Sequence, residues 1–280
     1  MTYKTVLVIL QSHADARRVL DFALPFAGRE GSRVIGLHAE ALPIALASPM
    51  GGPSADFTIL MQDESRRRHE ELRAFFDERA GAEGVMHEWR GFDSASGDAA
   101  ISGIESARSA DLVIAQQNDP DADSQRVADV EALLFNTGRP LLLVPYTFSG
   151  RSEPFKKVLL AWNGSKQAAR AAFDALPLMK QAGKIEVLTV DPRDTLEQDA
   201  EVAGAAISAA LARHGIDVTM RGEQSTGLSH ADVIANRLAD SGADLLVMGA
   251  FGRSRVSEFV FGGVTRSALQ SMTVPTFMSH

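Results

Sequence analysis

Short, nearly continuous apolar runs alternate with longer stretches of helical periodicity along this chain, and the alternation occurs twice. In the second half, residues 158–162, 185–190, 245–248 and 275–278 read as strands, and a polar-apolar alternation at 217–221 supplies a fifth. Runs this short and this apolar suit strands buried on both faces. Between them lie helix formers at 166–179, 198–213, 230–240 and 263–270, the first preceded by Ser165, a residue suited to capping. The first half gives strands at 5–10, 33–38, 85–89, 112–115 and 141–144, and a helix at about 63–79. Alternating strand and helix demands right-handed crossovers and a parallel sheet covered by helices. The predicted class is α/β: two tandem doubly wound domains with five-stranded parallel sheets.

The two halves also match residue by residue. Tyr3-Lys4-Thr5-Val6-Leu7 is echoed by Phe155-Lys156-Lys157-Val158-Leu159 at a spacing of 152, which also maps Ala23-Leu24-Pro25 onto Ala175-Leu176-Pro177. Farther on, Ala110 to Ile114 matches Ala243 to Val247 at a spacing of 133. The difference marks an insertion in the first half, visible as the Ala, Pro and Gly-rich segment 41–57. The turn-rich stretch 145–154 is a short linker between a domain at 1–148 and one at 154–280, which are expected to form an intramolecular pseudo-dimer.

Charge separates the halves. Of 28 basic and 36 acidic side chains, 14 of each lie in residues 151–280, so the whole acidic excess falls in the first 150 residues. That distribution gives no basic stripe for nucleic acid. The absence of cysteine removes disulfides and thiol chemistry. No run approaches the roughly 18 apolar residues of a membrane span, so a soluble, cytoplasmic protein without membrane partners is expected.

One motif carries chemical information. Gly249-Ala250-Phe251-Gly252 follows the fourth strand of the second half, and Gly262-Gly263-Val264-Thr265 opens the next helix. Glycines let a backbone turn tightly and present its N–H groups, and a bare helix N-terminus favours an anion. Neither a Walker loop nor the dinucleotide Gly-x-Gly-x-x-Gly is present. Arg253, Arg255 and Arg266 lie within or beside this loop, opposed by Glu258.

At these residues the chain resembles the universal stress protein family, whose nucleotide-binding members carry Gly-x2-Gly-x9-Gly followed by Ser or Thr. Gly249, Gly252 and Gly262 keep that spacing, but the next position is Gly263, so Thr265 is the hydroxyl left to replace the missing one. Asn163 stands where the family's nucleotide binders usually carry an aspartate toward adenosine, and Val190 falls at the apolar contact to adenine. The resemblance places the cofactor-binding residues at Ala161, Asn163, Val190, Met248, Gly249, Gly252, Arg253, Gly262, Gly263, Val264 and Thr265. It implies strand order 3-2-1-4-5, as in the adenine nucleotide alpha hydrolase-like folds, with the crevice between strands 1 and 4. It further implies ATP, or bound ADP or AMP, with Mg2+ only alongside nucleotide. The function implied is non-enzymatic stress response, with weak ATPase activity at most, and a homodimer is one further assembly. Fifth strands of family dimers commonly meet, which would bring 141–144 to 275–278. The alternative, favoured by Gly263 and Asn163, is a nucleotide-free interaction module with lapsed crevices.

The equivalent first-half loop, Gln116 to Asp123, lacks glycine and is acidic, so it is not expected to bind nucleotide. Its Asp119, Asp121 and Asp123 alternate like a calcium loop, but Ser124 and Val130 stand where glycine and the closing glutamate belong. The seven histidines lack metal-ligand spacing, and most read as surface residues. Arg66-Arg67-Arg68, interleaved with acids, reads as a salt-bridged exposed face. Neither a Gly-x-Ser-x-Gly elbow nor the His-x-Gly-His of adenylate transferases occurs. The apolar residues of 41–57 suggest a lid or a dimer contact.

Overall fold

The structure, a computed structural model, describes residues 2–41, 55–119, 128–192, 204–250 and 263–280. The segment 42–54, for which a lid or dimer contact was expected, lies outside the described residues. So does most of the Asp119 to Asp123 run. The chain divides into two compact units, one of Tyr3–Thr137 with Ser149–Ser152, the other of Gly138–Phe148 with Glu153–His280.

The first unit runs β1 (Thr5–Ile9), α1 (His13–Glu30), β2 (Arg33–Ala41), α2 (Ala55–Ala82), β3 (His87–Ser94), α3 (Ala99–Ser102), α4 (Ile104–Arg108), β4 (Leu112–Gln116) and α5 (Val130–Asn136). Its strands are parallel in the order β3-β2-β1-β4. β1 is buried almost throughout, as its apolar run requires, and α1 packs beside it with Ala16, Leu20, Ala23 and Ala27 buried along one stripe. α1 begins at a capping box in which Ser12 and Asp15 satisfy each other's backbone N–H groups.

The second unit contains β5 (Leu141–Val144), β6 (Lys157–Ala161), α6 (Lys166–Asp174), α7 (Leu176–Gln181), β7 (Lys184–Val190), α8 (Ala205–Arg213), β8 (Val218–Glu223), α9 (His230–Ser241), β9 (Leu245–Gly249), α10 (Val264–Ser271) and β10 (Thr276–Ser279). Strands β8-β7-β6-β9-β10 realise the expected order 3-2-1-4-5 with parallel pairing. β5 adds to β10 antiparallel, Leu142 opposite Phe277, so the expected meeting of 141–144 with 275–278 is observed inside this unit.

The duplication extends to hydrogen bonds. The Asp111 carboxylate accepts from the backbone N–H groups of Lys4 and Thr5 at 2.8 and 2.9 Å. Asp244 does the same for Lys156 and Lys157 at 2.8 and 3.0 Å. The aspartate of the repeated Ala-Asp pair therefore ties the fourth strand of each half to the start of the first.

Several elements differ from expectation: β2 runs on to Ala41, and α2 is longer than the predicted 63–79. The helix expected over 166–179 is two, divided at Ala175, because Pro177 sits in the first turn of α7, where a missing N–H costs least. The matching Pro25 lies inside an unbroken α1. β3 was expected to end at Trp89 but runs to Ser94, since β2 offers partners as far as Ala41 and Gly91 accommodates a ring from α2.

Candidate functional site

The second unit's sheet changes winding direction between β6 and β9, the topological switch point where a crevice opens beyond the strand ends. Ala161 and Met248 are paired neighbours there, at the last paired positions of β6. The chain leaving β6 is held by the Trp162 N–H, which donates to the Leu188 carbonyl at 2.8 Å. Asn163 follows as an exposed residue whose Oδ1 accepts from the Ser165 N–H at 3.1 Å. Gly164 turns the chain at φ 71°, and Ser165 Oγ then accepts from the Ala168 N–H at 3.1 Å to cap α6. The uncharged Asn163 thus shapes the turn that starts α6.

On the other side of the switch, Gly249 ends β9 beside the first turn of α6. A Cβ there would fall within 2.5 Å of the Gln167 carbonyl carbon and 2.9 Å of Ala168 Cα. The glycine is required because helix backbone passes too close for a side chain. Beyond it the Ala250 N–H donates to the Ser279 carbonyl at 2.9 Å, and the His280 ring meets the Ala250 carbonyl at 3.0 Å. Gly252, Arg253 and Gly262, with Arg255 and Glu258, lie outside the described residues. The chain resumes at Gly263, the N-cap of α10, in extended backbone and with no side-chain cap. Gly263 therefore supplies no capping side chain of its own, unlike the serines that precede α1 and α6. Val264 begins the helix, and Thr265 is only 2% exposed, so its hydroxyl belongs to the packed interior.

Val190 ends β7, and Asp191 after it takes a left-handed conformation at φ 47°. Its carboxylate accepts from the Ser225 N–H at 2.8 Å and meets His230 Nε2 at 2.9 Å. The Ser225 hydrogen bonds, with help from His230, hold the Asp191 carboxyl down to about 2. Asp191 is thus engaged in fastening the β7 and β8 ends. Among the described residues no group of three or more His, Cys, Asp or Glu is arranged to hold a metal.

In the first unit the chain leaving β1 is tied to the loop that follows β3. Gln11 donates from Nε2 to the Gly97 carbonyl at 2.7 Å and accepts at Oε1 from the Ala99 N–H at 2.7 Å. Asp98 caps α3 and also accepts from the Asp129 N–H at 2.9 Å. Where the second unit has a turn and a glycine, the first has side chains that latch neighbouring loops together.

Sequence reasoning missed a polar cluster in the first unit. His38 is 3% exposed, an exception to the expectation that most histidines lie on the surface. Arg68 donates to Glu40 from Nε and a terminal nitrogen at 3.2 and 3.0 Å, so the arginine run is not wholly a solvated face. Arg66 and Arg67 do pair along α2 as expected. The available signal was His-x-Glu in a strand, since alternate residues share a face and two polar groups on a buried strand need partners.

Residues 154–280 match the Universal stress protein family. No curated protein matches the chain. Among solved structures, a universal stress protein from Archaeoglobus fulgidus superposes with a TM-score of 0.72 at 18% identity, covering 98% of this chain and 95% of that one. A protein of unknown function from Pseudomonas aeruginosa gives 0.56 at 17% identity, covering 99% and 92%. At such identities the likeness is one of fold. The second half of this chain is therefore a universal stress protein domain, and the first half repeats its architecture. Among the described residues no helix is long and apolar enough to cross a membrane.

Proposed function

We propose that the second unit binds an adenine nucleotide at the ends of β6 and β9, and that the protein acts in stress response through this ligand rather than as an enzyme. The observation that carries the reading is the approach of the 162–165 turn and the Gly249 strand end at one switch point, with a glycine at the N-cap of α10 next along the chain. In this reading the Gly249 to Gly262 loop cradles phosphate, and the first N–H groups of α10 receive the terminal oxygens. Val190 lies against the base and Asn163 accepts from the ribose. ATP fits the spacing, and ADP or AMP would use the same contacts with fewer phosphates. Mg2+ would enter with the nucleotide. Glycine at 263 and asparagine at 163 remove a hydroxyl and a charge, so affinity is lower than for a site that has both.

The test is acid extraction of the purified protein followed by nucleotide chromatography, then titration of ATP, ADP and AMP into the emptied protein. Co-purifying adenine nucleotide, or saturable binding, supports the reading. Absence of both at millimolar nucleotide would instead leave an interaction module with lapsed crevices.

A further inference from the structure

The polar cluster of the first unit contains two histidines whose neighbours dictate opposite protonation states. His38 Nδ1 lies 2.7 Å from the Leu10 carbonyl, and its Nε2 lies 3.2 Å from Glu40 Oε1. Both oxygens are acceptors, because Glu40 is ionised: burial pushes its carboxyl up, but the hydrogen bonds from His38 and Arg68 outweigh that and hold it at about 2. A His38 ring that donates from both nitrogens satisfies both of these acceptors. His69, on α2 with its ring centroid 5.7 Å away, has the reverse assignment. Its Nε2 receives the Trp89 indole N–H at 3.1 Å. An indole N–H only donates, so that nitrogen bears a lone pair and His69 is neutral.

The surroundings are shaped to hold this ring. A Cβ on Gly91 of β3 would lie inside the His69 imidazole, 3.1 Å even from its Nδ1. The ring thus occupies space that β3 leaves open. Trp89 meets His69 edge-on at 5.6 Å and also packs on Phe76 of α2 at 5.6 Å. His69 is half-buried, within reach of solvent protons.

We infer that His69, His38 and Trp89 form a proton sensor: a proton arriving at His69 Nε2 displaces the Trp89 indole, sets a second cation against His38 and loosens the first half of α2 from β2 and β3. The proton comes from solvent, and no other bond changes. The groups facing His69 are His38 and Glu40 from β2, Asp93 from β3 and Arg73 from its own helix, with Arg68 bound to Glu40. Burial and then the His38 charge push its proton affinity below the ordinary histidine value, against opposing pulls from Asp93 and Glu40. A depressed folded-state value means that stability from neutral His69 is complete above the ordinary value and lost as pH falls through the lower one. Loosening is therefore an acid response in the range where histidine alone titrates.

The sequence has two tryptophans, so Trp162→Phe leaves Trp89 alone as the reporter. The indole N–H resonance and Trp89 emission are followed from about pH 8 to 5. Both are expected to move with a single-proton midpoint below about 6.5, and emission to fall roughly twofold. Adding His69→Gln, which keeps an acceptor but does not titrate, flattens the curve, and adding His38→Gln instead raises the midpoint. As a check needing no variant, exchange of α2 amides at residues 63–72, corrected for intrinsic rate, should accelerate on acidification while α9 stays unchanged. A flat Trp89 signal, a transition surviving His69→Gln, or unchanged α2 exchange would each overturn the proposal.

Discussion

Gly249 and Ala168 meet backbone to backbone: a Cβ on the glycine would lie 2.9 Å from Ala168 Cα and closer still to its nitrogen. The first glycine of the loop therefore lets α6 start directly against the end of β9, which brings the two sides of the candidate crevice together. Gly249→Ala is expected to cost about 1–3 kcal/mol, since backbone must move to admit the methyl group. Urea unfolding measures this. Gly263→Ala, at φ -65° in ordinary extended backbone, meets no backbone strain, and as a poorer N-cap than glycine it should cost about 0.5–1 kcal/mol.

Gly263→Ser would supply α10 with a side-chain cap and place a hydroxyl at the mouth of the crevice. Serine suits that backbone and is a preferred N-cap, but glycine is itself a tolerable one, so helix stability should rise by only about 0.3 kcal/mol. Nucleotide affinity should rise about tenfold, the equivalent of about 1.4 kcal/mol. Thermal unfolding and calorimetric titration read the two effects separately. Unchanged affinity would place the bound phosphates away from α10.

Much of the architecture was legible because it rests on short-range pattern. Runs such as Val158 to Leu160 are apolar because both faces of the sheet are covered, and repeated pairs such as Ala110-Asp111 and Ala243-Asp244 mark the same strand start twice. The glycine at 249 could be picked out from spacing, but its partner, the α6 backbone, could not, because that contact joins residues about 80 apart in sequence. The His38 and Glu40 cluster was hidden for the same reason: its partners arrive from α2 and β3, and their residue types alone look like a charged surface. The end of β3 was misread because Gly91 looks like a strand terminator when the ring that fills its place is unseen.

Glu40→Gln tests the buried network on stability. Removing the charge leaves His38 and part of Arg68 without their anion, and the loss should be about 3 kcal/mol near neutrality. Because the folded carboxyl sits at about 2, below its ordinary value of 4.5, its contribution is present above that ordinary value and fades as pH falls toward about 2. The stability gap between parent and variant should therefore narrow on acidification, as measured by urea unfolding across that range.

Gln11→Ala tests the latch in the first unit. Losing its two hydrogen bonds to Gly97 and Ala99 should cost about 1 kcal/mol and speed amide exchange at residues 97–101. Because the loop after β4 lacks glycine and is acidic, removing the latch should not by itself create nucleotide affinity.

Calorimetric titration of ATP into the nucleotide-free chain tests the central claim most directly. The account predicts one site per chain, abolished by Gly252→Glu in the second unit and kept by Gln117→Ala in the first. Two sites, or equal losses in the two variants, or no saturable binding at millimolar nucleotide would contradict it.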